Sequence, residues 1–286
     1  MAVYKRSYRA YSGPLTNPMW RFLVLQRYAM KGIFRSRFLL IGYVGCFFLP
    51  VLAICAIYLN QNAAILAQIN SKPGFLKIDG NFFMVVLQAQ GSLAGLLTAF
   101  VGPSLIAPDL TNGALPLYLS RPISRTEYIL GKAMVLGSLI ASITLIPTLL
   151  MFVVQSSVAG YSWFSNNLFL ANGILWTNLL MMALFILLGL AMSAWVRWRI
   201  VAGAMVLGVF VAGKGFAAVI NAAMRTDGGY YLDLQHLLST VAGALLHHAA
   251  EDEPIPVTAA FIAIFAVCGL LLLLIDRKLR VCEAAG

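Results

Sequence analysis

The sequence predicts an all-α polytopic membrane protein. We expect six transmembrane helices, an N-terminal interfacial amphipathic helix and a short helix in one cytoplasmic connection. Of the 286 residues, 61% are hydrophobic and only 10% are charged, and the mean hydropathy is +0.86. Soluble domains carry roughly 25% charged residues. The apolar runs are long and continuous, whereas a transmembrane barrel would show short alternating segments. These features favour one helical membrane domain over residues 1–286.

Six apolar runs are long enough to cross a bilayer core of about 30 Å, which takes roughly 20 helical residues. Pro50 and Pro147 fall inside the first and third runs and should kink or break those helices locally. The predicted spans are residues 38–59, 82–107, 133–158, 168–196, 200–224 and 257–275.

Residues 18–37, ahead of the first span, mix aromatic and aliphatic side chains with Arg21, Arg27, Lys31 and Arg35. That mixture is typical of an amphipathic helix lying in the membrane interface. Membrane lipid is therefore a predicted partner, and a solvated basic arm is the alternative.

The basic residues predict the orientation. Sixteen of the 20 Lys and Arg residues fall in the N-terminal segment, residues 121–132, the turn at 197–199 and the C-terminus. By the positive-inside rule, those regions and both termini face the cytoplasm. Residues 225–256 then form an outside loop, in which residues 232–248 are moderately apolar but too short to span. We attribute the net charge of +10 to this bias and expect no nucleic acid partner.

The residues that could carry intramembrane chemistry are sparse. The four cysteines show no metal-ligand spacing, and all three histidines lie in the predicted outside loop. None of the six runs contains Asp or Glu, although ion-coupled carriers usually place carboxylates near the membrane midplane. We therefore predict no metal site and no catalytic residues, and we expect the energy supply to come from another polypeptide.

Residues 208–215 match most of a phosphate-binding P-loop, but Gly215 stands where Ser or Thr should hold magnesium. The stretch also lies inside a predicted membrane helix, so we reject an ATPase site. Two interpretations of Lys214 stay open. It is a polar point of a translocation pathway, or it snorkels from the outer third of the helix.

The connection between the second and third spans, residues 109–132, is the best organised polar segment. Pro108 is expected to help end the second helix, and residues 112–120 to form a short helix broken by Arg121 and Pro122. Ser124 and Glu127 have the spacing of a capping box, which should start a helix running into the third span.

Residues 117–132, LYLSRPISRTEYILGK, resemble the motif that follows the second helix of type-2 ABC exporter permeases. The resemblance implies that residues 109–132 form a coupling helix that docks into a separate nucleotide-binding ATPase subunit, which would bind ATP and Mg. It also implies a second permease copy, in a homodimer or a heterodimer. The residues implied in or beside the ATPase contact are Asp109, Gly113, Leu119, Arg121, Pro122, Arg125, Glu127 and Lys132.

The same resemblance implies a permease that exports its substrate across the bacterial inner membrane by alternating access. Two other classes stay open. One is a non-transporting ABC-like membrane complex in signalling, resistance or envelope maintenance, and the other is a secondary carrier or channel. The apolar, aromatic composition favours an amphipathic substrate without identifying it.

Overall fold

A computed structural model describes residues 21–62, 77–113, 124–196, 198–247 and 253–284. These residues form twelve α-helices and a short 3-10 helix, Gly228–Leu232, and contain no strand. The helices are α1 Arg21–Phe34, α2 Arg37–Gly45, α3 Phe48–Gln61, α4 Gly80–Val101, α5 Pro103–Thr111, α6 Arg125–Ile143, α7 Leu145–Ala159, α8 Tyr161–Asn166, α9 Leu168–Trp195, α10 Arg199–Met224, α11 Leu234–Leu245 and α12 Val257–Ala284.

Six helical stretches are long and apolar enough to cross a membrane, which confirms the predicted all-α fold with six candidate spans. Three of them consist of two consecutive helices: α2 with α3, α4 with α5, and α6 with α7. The other three are α9, α10 and α12. The end of the bundle that carries Gly113, Arg125, Arg199 and Arg277 is called the basic end below.

Prolines cause the breaks inside the composite spans. Proline has no backbone N–H and clashes with the carbonyl four residues earlier. Pro147 lies four residues after Ile143, where α6 ends, and Pro50 lies four residues after Cys46, in the break between α2 and α3. The predicted breaks at both prolines are confirmed. A third break, at Gly102, precedes Pro103 at the start of α5.

The helix bounds differ from the predicted ones around residues 109–132. Pro108 does not end the second span, since it lies inside α5, which continues to Thr111. Asn112 and Gly113 then form a turn, with φ of 62° at Gly113, so no helix starts at Asn112. Glycine tolerates this left-handed conformation, which other residues rarely adopt. The helix that contains the third span begins at Arg125, well before position 133, where the predicted span begins.

Helix α9 is the centre of the bundle. It packs against α4, α5, α6, α7, α10, α11 and α12, and half of its 28 residues are buried. The first, fifth and last spans are mostly exposed, with 17%, 28% and 22% of their apolar windows buried. Their outer faces are therefore available to lipid or to a further copy of the chain.

Helix α1 covers part of the predicted amphipathic segment 18–37 and packs along α6. Gly131 permits this approach, since a Cβ there would lie 3.1 Å from the carbonyl oxygen of Phe22. The Gln26 side chain donates to the Ser138 hydroxyl at 3.2 Å, while Arg27 and Lys31 are exposed. The interfacial location of α1 stays a prediction.

Helix α11, within the predicted outside loop, returns into the bundle. The 3-10 helix packs along α10, so that a Cβ on Gly213 would lie 2.6 Å from the carbonyl oxygen of Leu232. Gly213 lies eleven residues before the end of α10, or about 16 Å at 1.5 Å per residue. Asp233 then caps α11 by accepting from the backbone N–H groups of Gln235 and His236.

The docking of α11 on α9 leads to a prediction about two glycines. A Cβ on Gly173 would lie 2.4 Å from the carbonyl oxygen of Leu245, whereas a Cβ on Gly215 would meet nothing within 4 Å. We expect Gly173→Ala to lower the free energy of unfolding by about 1–3 kcal/mol, as overpacking does. The matched Gly215→Ala should raise stability by about 0.5–1 kcal/mol, since alanine favours a helix interior. Thermal unfolding of both variants in detergent measures whether their changes in stability have opposite signs. Equal changes in stability would contradict the close contact between Gly173 and Leu245.

Candidate functional site at the 109–132 segment

Residues 109–132 begin near the end of α5 and finish about two turns into α6, at the basic end. The structure describes this segment up to Gly113 and again from Ser124. Leu119, Arg121 and Pro122 lie outside the described residues, as does most of the predicted short helix at 112–120.

An ion pair joins the two ends of the segment. The Lys132 Nζ lies 2.7 Å from Oδ2 of Asp109, and the Tyr128 hydroxyl donates to the same oxygen at 2.8 Å. Tyr128 and Lys132 are four residues apart on α6 and therefore share the face that meets α5. The Lys132 Nζ also lies 5.5 Å from the centre of the Tyr128 ring. One carboxylate thus accepts from two side chains of the neighbouring helix.

This cluster is largely removed from solvent. The side chains of Lys132 and Asp109 are 10% and 17% exposed, and Tyr128 is 1% exposed as a residue. Burying an unpaired charge is costly, so each ion stabilises the buried position of the other. Asp109 on α5 and Lys132 on α6 therefore face each other, and their contact holds the two ends of residues 109–132 together.

The capping box at the start of α6 is confirmed. The Ser124 hydroxyl accepts from the backbone N–H of Glu127 at 3.2 Å, and the Glu127 carboxylate accepts from the backbone N–H of Ser124 at 2.7 Å. Both bonds satisfy N–H groups that the first helical turn leaves without partners. Glu127 therefore fixes the direction in which the chain enters α6. Arg125, the first residue of α6, is partly exposed at the same end.

Lys214, the predicted pathway residue, lies in α10 and is exposed. The stretch 208–215 that resembles a P-loop belongs to the same continuous helix, without the strand and loop that a phosphate site needs. In the described part of the chain, no group of three or more His, Cys, Asp or Glu side chains is placed to hold a metal ion.

A cavity of about 210 Å³ lies between α4, α9, α10 and α11 and opens at the surface of the bundle, where Ser92 and Val211 in its wall are exposed. Helix α10 contributes Leu207, Phe210 and Val211 to its wall, and Lys214 is not part of the lining. Ser92 and Gln235 close one side, where the Gln235 side chain donates to the Ser92 hydroxyl at 3.2 Å.

Neither Tyr128 nor the cavity was predicted from the sequence. Tyr128 lies four residues before Lys132, a spacing that places two side chains on the same face of a helix. That spacing was the available signal in the sequence. The cavity residues come from helices far apart in the chain, so no local pattern marks them.

The comparisons with known proteins agree with this architecture. Residues 30–275 match the family model described as ABC-2 family transporter protein. No curated protein matches the chain. Members of this family are membrane subunits that are not themselves catalytic and generally work with an ATPase subunit. Because the match covers most of the chain and includes all six candidate spans almost entirely, the chain belongs to the ABC-2 transporter family and is a multi-pass membrane permease of an ABC transporter.

Proposed function

We propose that this chain is the permease subunit of an ABC exporter in the bacterial cytoplasmic membrane, with both termini in the cytoplasm. A separate ATPase subunit binds ATP and Mg and drives the transport cycle. Two permease copies, identical or different, assemble with two ATPase subunits, and the halves alternate access to a pathway between them. The observation that carries this proposal is the ABC-2 family match over residues 30–275.

The 109–132 segment is the surface that we assign to the ATPase. The two ends of this segment are firmly connected to the bundle, which supports that role. The Asp109–Lys132 ion pair connects α5 to α6, and the capping box of Ser124 and Glu127 fixes the start of α6. A force applied to the segment would therefore reach the second and third spans together. The basic side chains Arg121 and Arg125 are the proposed contacts with acidic groups of the ATPase.

The proposal is tested by co-purification of the tagged chain with its ATPase subunit from the membranes of the native cell. We expect the double variant Arg121→Glu and Arg125→Glu to lose the ATPase, because reversed charges placed opposite acidic groups repel. The matched control is Arg199→Glu with Arg277→Glu, which makes the same change in charge at exposed residues of the basic end outside the segment. Normal assembly of the first variant, or equal loss in both, would contradict docking at this segment.

The direction of transport needs a separate measurement. Inside-out vesicles that contain the assembled complex should accumulate substrate in their lumen when ATP is added. Accumulation only in right-side-out vesicles would make the complex an importer. Substrate-independent ATP hydrolysis without transport would favour the non-transporting ABC-like complex.

A further inference from the structure

A basic and aromatic surface lies where three candidate spans end, at the basic end of the bundle. Trp195 is the last residue of α9, Arg199 is the first residue of α10, and Lys278 is the last residue of the sixth candidate span. The end residues of a span reach the level of the lipid headgroups, because the apolar residues between them fill the hydrocarbon core. We call residues 195–200 and 276–280 the Trp195–Lys278 surface.

An aromatic ring holds Lys278 in place. The Lys278 Nζ lies 5.3 Å from the centre of the Trp195 ring, close enough for the ring face to attract a cation. The Trp195 indole N–H donates to the carbonyl oxygen of Leu274 at 3.1 Å, which holds the ring against α12. Among the described residues, no ion pair involves Lys278, and Asp276 is bound by Arg280 at 2.8 Å. An ammonium group has three donor hydrogens, so Lys278 can bind an anion on the side away from the ring.

The Trp195–Lys278 surface has a large excess of positive charge. Its sequence contains one carboxylate, Asp276, and five basic residues, which are Arg197, Arg199, Arg277, Lys278 and Arg280. The side chains of Arg199 and Arg277 are exposed, so their charge is available to an anion. Clusters of roughly four to eight Lys or Arg residues beside a membrane span are typical of sites for anionic lipids. A second copy of the chain would bring the same charge to this surface and be repelled.

Apolar side chains beside the charges fit the remainder of a lipid. Trp198, Ile200 and Leu273 are all largely exposed. Tryptophan is enriched at the headgroup level, because its ring is apolar and its N–H is polar. Leu273 lies five residues before Lys278 on α12, or about 7.5 Å further towards the middle of the span. A ligand with a phosphate at the level of Lys278 would therefore have its acyl chains at the level of Leu273.

We infer that the Trp195–Lys278 surface binds an anionic phospholipid, with the headgroup phosphate against Lys278. Inorganic phosphate would use the charges alone, whereas a phospholipid also uses the exposed apolar side chains. The inference goes beyond the function proposed above, since it requires only that the chain spans the membrane.

The test is native mass spectrometry of the full chain, purified in detergent that contains phosphatidylglycerol and phosphatidylcholine with identical acyl chains. Only phosphatidylglycerol has a net negative charge, so the ratio of the two bound lipids measures the contribution of charge. We expect phosphatidylglycerol to predominate on the wild type. Lys278→Gln should lower the ratio about fivefold, the change expected when one basic residue beside an anionic headgroup is lost.

Two further variants separate the site from general effects of charge and packing. Lys278→Arg keeps the charge and should keep the ratio within about twofold of the wild type. The matched control is Lys214→Gln, which removes an exposed lysine about 22 Å from Arg199 along α10 and should leave the ratio unchanged. Arg277→Gln changes an exposed residue of the same surface and tests the charge independently if Lys278→Gln does not fold.

A lower ratio in Lys278→Gln, with retention in Lys278→Arg and Lys214→Gln, supports the site. An unchanged ratio in Lys278→Gln overturns it, as does an equal fall in Lys214→Gln or in Lys278→Arg. Loss of the ATPase subunit from Lys278→Gln with an unchanged lipid ratio would assign this surface to the ATPase instead. Lipid binding needs no ATPase, so failure of docking at residues 109–132 would leave this result unaffected.

Discussion

Lys132→Met should lower the free energy of unfolding by about 3–5 kcal/mol, because it leaves a buried carboxylate without its cation. The Lys132 Nζ lies 2.7 Å from Asp109, whose side chain is only 17% exposed. After the substitution, the Tyr128 hydroxyl would be the remaining side-chain donor at Oδ2. One neutral hydrogen bond does not replace a contact with an ammonium group. Thermal unfolding of the purified chain in detergent measures this effect.

Two further variants test whether the burial of the charge is the cause. Asp109→Leu combined with Lys132→Met removes both charges and should lose less stability than Lys132→Met alone, because the Tyr128 hydroxyl loses its acceptor but no buried charge stays unpaired. Lys31→Met removes an exposed lysine of α1 at the same end and should change stability by less than about 0.5 kcal/mol. A loss in Lys132→Met no larger than in Lys31→Met would contradict the buried pair.

The double variant also separates stability from coupling. If the ion pair transmits force from the segment to α5 and α6, the double variant should assemble with the ATPase but hydrolyse ATP without moving substrate. Normal assembly with the ATPase excludes misfolding as the reason for that loss. Full transport by the double variant would leave the ion pair with a role in stability alone.

The fold could be predicted because the bilayer imposes simple requirements on a sequence. Each span needs about 20 apolar helical residues, and six such runs are visible without any tertiary information. The capping box was also predictable, since Ser124 and Glu127 are three residues apart and bond within one helical turn. Pro50 and Pro147 act on the carbonyl four residues earlier, which is again a local effect.

The helix bounds were harder to predict, because hydropathy indicates which residues lie in the membrane and not where a helix begins or ends. The helix that contains the third span begins at Arg125, where the capping box starts it, although the apolar run begins about two turns later. Similarly, α5 passes Pro108 and ends at Thr111 beside the Gly113 turn. Both signals were present in the sequence, and the capping signal located the helix start better than the apolar run.

Tertiary pairings could not be predicted from one sequence. Asp109 and Lys132 were both assigned to the partner contact, and nothing local indicates that they reach each other across a long connection. Gln90 is a second example. Its side chain donates to the carbonyl of Ile143 at 2.9 Å, the carbonyl that Pro147 cannot bond. The sequence contains both the polar residue and the free carbonyl, but only the fold brings them together.

Ser193 is a third such residue, and its loss should have the second large effect. Its hydroxyl oxygen accepts from the backbone N–H groups of Ile106 at 3.0 Å and Ala107 at 2.9 Å, and its hydroxyl lies 3.2 Å from the carbonyl oxygen of Pro103, to which it donates. Ser193 belongs to α9 and is fully buried. It thereby links α9 to α5 close to the break at Gly102.

We expect Ser193→Ala to lower the free energy of unfolding by about 1–3 kcal/mol, because a buried hydroxyl that links α9 to α5 is lost. The control is Ser156→Ala, whose hydroxyl only bonds the Val153 carbonyl of its own helix, and which should change stability by less than about 0.5 kcal/mol. Hydrogen exchange provides the specific readout, because the amides of Ile106 and Ala107 should exchange faster in Ser193→Ala than in the control. Since Asp109 belongs to α5, a loosened contact between α9 and α5 should also weaken the ion pair with Lys132 and so lower ATPase coupling. Unchanged exchange at both amides would mean that α5 is held against α9 by packing alone.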